Sequence, residues 1–368
     1  MSLVLYRKYR PQKFSEIVGQ EHIVKTISNA LASNSVGHAY LFSGPRGTGK
    51  TTLARILAKS LNCLGRNGSQ FEPCEECLPC GEIKGGRAPD IIEIDAASNR
   101  GIDEIRDLKE EIRTVPAFLK YKVYIIDECH MLTREAFNAL LKMLEEPPSH
   151  VVFVLATTEI HKVPATILSR VQRFDFMKLN IDEIVSRLSF LCKSEKINVE
   201  QSALEFIAAT ASGSIRDAES LLDQIIAYRG DNISKNDIEG ILGIVGLREA
   251  MAFVESLAKK NSAQALLKIN KLYGLGYDLS QFSKSVIDYL RDLLLVRIDK
   301  TLLDQKIYGF SSEEFAAIYE QSQNFSEENL RKIVEIFIEA QNEIKRSPIP
   351  QLPLELAVME TMELENRK

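Results

Sequence analysis

Residues 44–51 read Gly44-Pro45-Arg46-Gly47-Thr48-Gly49-Lys50-Thr51, and the fold turns on how they are understood. Apolar Ala39-Tyr40-Leu41-Phe42 comes before them, and Thr52-Leu53-Ala54-Arg55-Ile56-Leu57-Ala58 follows with a helical pattern, so the order is strand, glycine loop, helix. Glycines let the backbone curl until successive N–H groups face inward, and the following helix adds the positive end of its dipole. That is a cradle for phosphate oxygens. Lys50 is placed to reach the β- and γ-phosphates of a nucleoside triphosphate, and Thr51 to offer its hydroxyl to magnesium, with the backbone from Gly44 through Thr52 completing the loop. A chance glycine-rich turn is the plainer alternative; the flanking strand and helix argue against it.

A partner for this loop lies further along, at Lys122-Val123-Tyr124-Ile125-Ile126-Asp127-Glu128. An apolar run ending in two carboxylates is how a parallel strand delivers acids to the edge where nucleotides bind. Asp127 is expected to hold hydrated magnesium and Glu128 to orient and deprotonate the attacking water. After a helix read from Phe137 to Glu146 and a stop at Pro147-Pro148, Val151 to Ala156 forms another buried strand that closes at Thr157-Thr158. A hydroxyl there could bond the γ-phosphate or the lytic water, though a strand-end threonine is usually just satisfied locally. Arg170, after a short helix, is by default a surface arginine; its sharper role is a finger inserted into a neighbour's nucleotide.

The opening segment from Tyr6 to Gln20 is basic and aromatic and turns at Pro11. We expect Tyr9, Arg10 and Pro11 to drape across the nucleotide base, with Val18 and Gly19 lining an adenine pocket; an ordinary basic arm packed on the core is the alternative. From Asn180 the strands stop, and Ile181 to Ile226 reads as three short helices capped at Asp182 and Ser202. The third begins near Gly213-Ser214-Ile215-Arg216, which places Arg216, beside Ile215, in its first turn. A cation so placed on a mobile lid gains contact energy only when the γ-phosphate is present, whereas the plainer reading is an ion pair with Asp217 or Asp223.

Cys63 and the run Cys74-Glu75-Glu76-Cys77-Leu78-Pro79-Cys80 hold four of the six cysteines. Four thiolates close a tetrahedral shell around zinc, and two residues between ligands let a tight turn present both sulfurs to one ion. Such a site is structural, with no position left open for water. Four free or buried thiols, or a redox pair, are the alternatives.

A chain of 368 residues suggests two or three domains, and its net charge of −5 excludes a uniformly basic nucleic-acid coat. Any DNA contact then uses a local surface, with Arg100 one candidate. Neither a signal peptide nor a membrane-spanning run is evident, so a cytoplasmic protein is expected. Ile102, Ile105, Leu108 and Ile112 mark one more helix. Beyond Gly240-Ile241-Leu242-Gly243 the pattern is wholly helical, as in Ala250, Phe253, Val254 and Leu257, the kind of sequence that builds a core or a subunit interface.

With these residues in view, the chain resembles the gamma/tau subunits of bacterial DNA polymerase III, the AAA+ ATPases of the sliding-clamp loader. The resemblance rests on Arg7-Lys8-Tyr9-Arg10-Pro11, the GPRGTGKT loop, the four-cysteine insertion, IEIDAAS (92–98), YIIDECHML (124–132), LLKMLEEPP (140–148) and LATTE (155–159). It implies an α/β AAA+ P-loop domain with a parallel sheet at 1–178 carrying a zinc module at 63–80, a helical lid at 179–242, and an all-α collar at 243–368. It also implies Thr157 or Thr158 as first sensor, Arg170 as trans-acting finger and Arg216 as second sensor. ATP, Mg2+ and Zn2+ are the implied cofactors. Implied partners are delta and delta-prime subunits and further copies in a pentameric ring, the sliding clamp, and primer–template DNA. The family's Ser-Arg-Cys finger motif reads Ser169-Arg170-Val171 here, which keeps the arginine. The longer tau form carries further domains after the collar, so a gamma-length or truncated chain is expected, with no polymerase active site of its own. A Holliday-junction or helicase-loader motor, and a non-hydrolysing scaffold of the delta-prime type, are the competing assignments; the cysteine insertion speaks against the first and intact Lys50, Asp127 and Glu128 against the second.

Overall fold

The computed structural model describes residues 4–67, 70–98, 112, 114–230, 232–234, 238, 247–302 and 312–366. Arg100, the expected helix positions Ile102, Ile105 and Leu108, and the stretch from Gly240 to Gly243 lie outside the described residues. Two compact units divide the chain, Met1–Asn198 with Ile207–Ala227, and Val199–Phe206 with Tyr228–Lys368.

In the first unit five strands, β1 Ala39–Ser43, β2 Ile91–Asp95, β3 Lys122–Asp127, β4 Val151–Thr157 and β5 Gln172–Asp175, form one sheet in the order β2-β3-β4-β1-β5. Every pairing is parallel. β1 and β4 are buried along their whole length and β3 up to Asp127, as strands covered on both faces must be. Alternation sends Leu41, Ile126, Phe153 and Leu155 to one face, where Phe137 and Leu140 of the helix Arg134–Glu145 meet them. Phe42, Val123, Ile125 and Val154 face the other side, against Ile23 and Ile27 of the helix Glu21–Ala32 and Leu53 and Leu57 of the helix Lys50–Asn62. Each such side chain, fully buried, contributes about 1.5–3 kcal/mol, so the sheet is a rigid base for what its edge carries.

Register decides that edge. Ser43 pairs with both Thr157 and Asp175, and Asp95 with Asp127, so the carboxyl ends form one row. Because β4 lies between β1 and β3, Thr157 occupies the middle of the row, with the glycine loop after β1 on one side and the acid pair after β3 on the other. Ligands of open parallel sheets bind beyond this edge.

Two helix starts differ from expectation for the same physical reason. The helix expected from Phe137 begins at Arg134, because Thr133 Oγ1 accepts the Ala136 N–H at 3.2 Å. The helix Ile181–Glu195 is capped by Asn180, not Asp182: Asn180 Oδ1 accepts the Glu183 N–H and Glu183 Oε2 accepts the Asn180 N–H, both at 2.8 Å. That reciprocal pair satisfies two end donors at once and outcompetes a lone aspartate. Ser202 likewise is no cap; it lies inside the helix Gln201–Thr210.

Strands do not stop at Asn180 as expected: two short ones, Asn198–Val199 and Asn232–Ile233, pair as a separate two-stranded sheet. From Leu247 the described residues of the second unit are helical, with Leu247–Ala258, Ser262–Gly274, Leu279–Ile298, Ser312–Ser322, Glu327–Ile344 and Leu352–Asn366. Phe253 centres its core, meeting Phe282 at 5.2 Å and Phe337 at 5.8 Å between ring centroids, both edge to face. Among the described residues no helix is long and apolar enough to cross a membrane.

Candidate functional site

The loop after β1 folds as its glycines dictate. Gly44, Gly47 and Gly49 have φ of +146°, +76° and +101°. At Gly47 a side chain is barred twice, by the dihedral and because a Cβ would stand 1.9 Å from Ser214 Oγ. The helix starts at Lys50, directly after Gly49, so its free N-terminal amides belong to the loop. Lys50 is 6% exposed, and its Nζ donates to the carbonyls of Gly44 and Pro45, each at 2.7 Å. Burial pulls its pKa down, while the Glu128 and Asp127 carboxylates push the other way.

Those acids reach the loop directly. Thr51 Oγ1 donates to Asp127 Oδ2 at 2.7 Å, and Asp127 Oδ1 accepts the Glu128 N–H at 3.0 Å. Glu128 sits at φ 48°, ψ 43°, a left-handed conformation that costs a non-glycine residue about 1–3 kcal/mol and gathers at functional sites. Its Oε2 accepts from the Thr158 N–H at 3.2 Å and the Thr158 hydroxyl at 2.9 Å, with His130 Nδ1 at 3.4 Å. Thr157 is fully buried; its Oγ1 lies 3.0 Å from His130 Nδ1 and accepts the Glu159 N–H at 3.0 Å. His130 Nε2 faces Glu159 Oε1 at 3.3 Å. Thr158 therefore holds Glu128 while Thr157 orients His130.

One pocket joins Lys50, Thr51, Asp127 and Glu128, whereas Thr157, Thr158 and His130 do not line it and reach it only through Glu128. The N-terminal arm supplies Tyr6, Arg10, Pro11, Ile17 and Val18; the loop supplies Arg46 to Thr52; the last residue of β3 and the one after it supply Asp127 and Glu128; and Arg187, Ile215, Arg216 and Glu219 cover the rest. Arg216 stands in the first turn of the helix Ile215–Arg229, its N–H 3.5 Å from Gly47 O and its guanidinium 5.0 Å from the Tyr6 ring centroid. Arg187 Nε donates to Glu219 Oε1 at 2.9 Å, and both side chains are less than a tenth exposed. Burial raises the Glu219 pKa although Arg187 opposes it. Tyr9 and Gly19 do not line the pocket. The Tyr9 ring packs edge-on against Phe190 and its carbonyl accepts Arg187 Nη2 at 2.5 Å, while a Cβ on Gly19 would stand 2.5 Å from Leu179 Cδ2. Gly44 and Pro45 act through the carbonyls that hold Lys50.

Arg170 lies elsewhere. It follows the helix Ala165–Leu168 and lines a surface depression with Gly37, His38 and Ala39, at the amino end of β1. Its Nε and Nη2 donate to Glu145 Oε1 at 2.9 and 2.5 Å.

The sulfurs of Cys63, Cys74, Cys77 and Cys80 all lie within 4.8 Å of one another, and those of Cys77 and Cys63 are 4.0 Å apart. A tetrahedral ion with metal–sulfur bonds of about 2.3 Å needs sulfurs about 3.8 Å apart, so the set fits one ion, and none of the four is in a disulfide. Backbone amides already address the sulfurs: the Cys74 N–H points at Cys63 Sγ and the Cys77 N–H at Cys74 Sγ, each at 3.3 Å. Amides of Cys77 and Glu76 pull the Cys74 thiol down to about 6, while burial pushes Cys80 up.

Comparison with known sequences bears on this arrangement. Residues 19–180 match a family model described as DNA polymerase III, delta subunit; residues 183–231 match the DNA polymerase III clamp loader subunit, ATPase lid domain; and residues 233–367 match DNA polymerase III subunits gamma and tau domain III. DNA polymerase III subunit gamma of Buchnera aphidicola subsp. Acyrthosiphon pisum is 38% identical over 358 residues, covering 97% of this chain and 97% of that protein. The chain belongs to the gamma/tau family of DNA polymerase III subunits. Against DNA polymerase III subunit tau of Bacillus subtilis the identity is 45% over 96% of this chain, and against that of Escherichia coli 42% over 82%. The chain spans 62% and 46% of the lengths of those two tau proteins.

In this gamma/tau chain four pocket residues escaped the sequence, namely Tyr6, Ile17, Arg187 and Glu219. Arg187 and Glu219 did carry a signal. Arg187 is flanked on its helix by buried Ile184 and Leu188, and Glu219 by buried Ala218 and Leu222, so each is a charge on an apolar stripe that needs a partner. His130 had none, since nothing in the run Asp127-Glu128-Cys129-His130 tells that it turns back toward β4.

Proposed function

We propose that the chain is the ATP-hydrolysing subunit of a clamp loader, which uses ATP to open a sliding clamp and place it on primed DNA. The observation that carries this is the meeting of Lys50, Thr51, Asp127 and Glu128 at one pocket covered by Arg216. Loop amides and Lys50 bind the phosphates, and the arm around Val18 covers the base. Magnesium held by Thr51 and Asp127 would neutralise charge developing between the β- and γ-phosphates. Glu128 takes the proton of the attacking water, Thr158 fixes the Glu128 carboxylate as first sensor, and Arg216 reads the γ-phosphate from the lid as second sensor.

Hydrolysis then depends on assembly, because Arg170 is directed outward and completes the site of an adjoining subunit. The ring would join copies of this chain to delta and delta-prime subunits through the collar at 243–368, with the ATPase domain at 1–178 and the lid at 179–242. DNA is held through its phosphates by helix N-termini and basic side chains, which a chain of net charge −5 can offer locally. Steady-state ATP turnover of the assembled complex tests this. The rate is expected to rise when clamp and primed DNA are both added; a flat rate would leave a nucleotide-binding scaffold.

We infer that zinc occupies the four thiolates and ties the insertion into a closed knuckle. Cys77→Ser protein is expected to lose the bound zinc measured by atomic absorption, and full zinc content in that variant would remove the site.

A further inference from the structure

We propose that Glu72, in the cysteine-bearing insertion, is a positioning residue for nucleotide binding: it fastens the N-terminal arm over the pocket. The inference rests on the nucleotide reading of that pocket. The arm has little structure of its own, a four-residue helix Leu5–Lys8 and a single turn Phe14–Glu16. Local hydrogen bonds cannot hold such a segment, so its position must come from what it is tied to.

At its start the arm is tied to the helix Ile181–Glu195, through Lys8 Nζ to Glu195 Oε1 and Arg187 Nη2 to the Tyr9 carbonyl; the stretch around the Phe14–Glu16 turn is tied to the insertion. Lys13, which precedes the turn, gives no side-chain cap, and the two amides that open the turn are taken by one carboxylate from 58 and 57 residues away: Phe14 N–H to Glu72 Oε2 and Ser15 N–H to Glu72 Oε1, each at 2.8 Å. An ionised acceptor facing two adjacent amides is a cap supplied from outside the segment, and its bonds are the strong, charge-assisted kind. Lys59 makes a second tie. Its side chain is 2% exposed, and Nζ donates to Gln12 Oε1 at 2.5 Å and to Glu75 Oε1 at 2.7 Å, spanning arm and insertion at once. The Phe14 ring, 1% exposed, lies 6.2 Å from that of Phe71, whose carbonyl accepts the Ser60 hydroxyl.

Phe71 to Glu75 thus forms a bracket. One side grips the arm at Phe14 and Ser15; the other grips Ser60 and Lys59, which itself holds Gln12, on the helix that begins at Lys50 of the glycine loop. Arg10 and Pro11 on one side of the gripped stretch, and Ile17 and Val18 on the other, are the residues that enter the pocket. Releasing Glu72 frees the wall over the base without touching a group that meets phosphate.

The test is equilibrium binding of a fluorescent ATP analogue to Glu72→Ala and Glu72→Gln protein, with metal content and circular dichroism measured on the same samples. Glu72→Ala is expected to keep its metal and weaken binding about tenfold, while the maximal ATPase rate of the assembled complex at saturating nucleotide falls less than twofold. A purely structural role would not split affinity from rate in this way. Glu72→Gln, which keeps the shape and one acceptor oxygen, is expected to fall between, and it carries the test should the alanine variant fail to fold. Wild-type affinity in a metal-replete Glu72 variant overturns the proposal alone. Wild-type protein that binds no nucleotide overturns the nucleotide reading and the proposal together.

Discussion

Glu128→Gln protein is expected to bind ATP as the wild type does and to hydrolyse it at least about 100-fold more slowly, since a positioned general base contributes roughly 10²–10⁴. The substitution is well matched to the surroundings. Glu128 Oε2 accepts from both the N–H and the hydroxyl of Thr158, and a glutamine oxygen accepts the same two bonds. The left-handed backbone at residue 128 is unchanged, and so is the contact of Thr51 with Asp127, the pair proposed to hold magnesium. What disappears is the negative charge that takes a proton. Filter binding of ATP beside single-turnover phosphate release separates the two effects. Phosphate release at the wild-type rate would strip Glu128 of its role.

The contrast between Glu128 and His130 shows how far the sequence reaches. The glycine loop, the acid pair and the cysteine run are contiguous stretches whose spacing is itself the chemistry, so each is visible without a fold. What the sheet does to them is not. That β4 slips between β1 and β3, bringing Thr158 to Glu128 and Thr157 to His130, follows from strand order, and no residue pattern in either strand records it. The arm tells the same story over a shorter distance. The sequence points to Tyr9 rather than Tyr6 as a cover for the base, but the helix Leu5–Lys8 turns Tyr6 toward Arg216 and leaves Tyr9 against Phe190. The ties that matter most for the arm join residues 58 and 178 positions apart, Phe14 to Glu72 and Tyr9 to Arg187. Periodicity carries information only within an element, so contacts of this span stay hidden until the chain is folded.

Arg170 is the residue for which placement changes the expected experiment. It sits by Gly37, His38 and Ala39, whereas the phosphate loop starts after Ser43 at the other end of the same strand. Five residues of strand span about 16 Å, so Arg170 belongs to the opposite edge of the sheet from its own glycine loop. Its Nε and Nη2 pair with Glu145, the side chains being 32% and 47% exposed, and its Nη1 donates to Thr166 O at 2.7 Å and Ser169 Oγ at 2.9 Å, all at the surface. Exposed pairs of this kind contribute about 0–1 kcal/mol, so withdrawing the guanidinium for a stronger acceptor costs little. Arg170→Ala protein is therefore expected to fold and bind nucleotide as before when isolated, while the assembled complex hydrolyses ATP about 10³-fold more slowly, the low end of what an arginine finger contributes. A mixture distinguishes action between subunits from action within one. Complexes assembled from Arg170→Ala and Glu128→Gln chains together are expected to turn over faster than complexes of either variant alone, because some interfaces then pair an intact Glu128 with an intact Arg170 from the neighbouring copy. Equal inactivity of mixed and unmixed complexes would confine Arg170 to its own chain, and full activity of Arg170→Ala would leave it a surface residue.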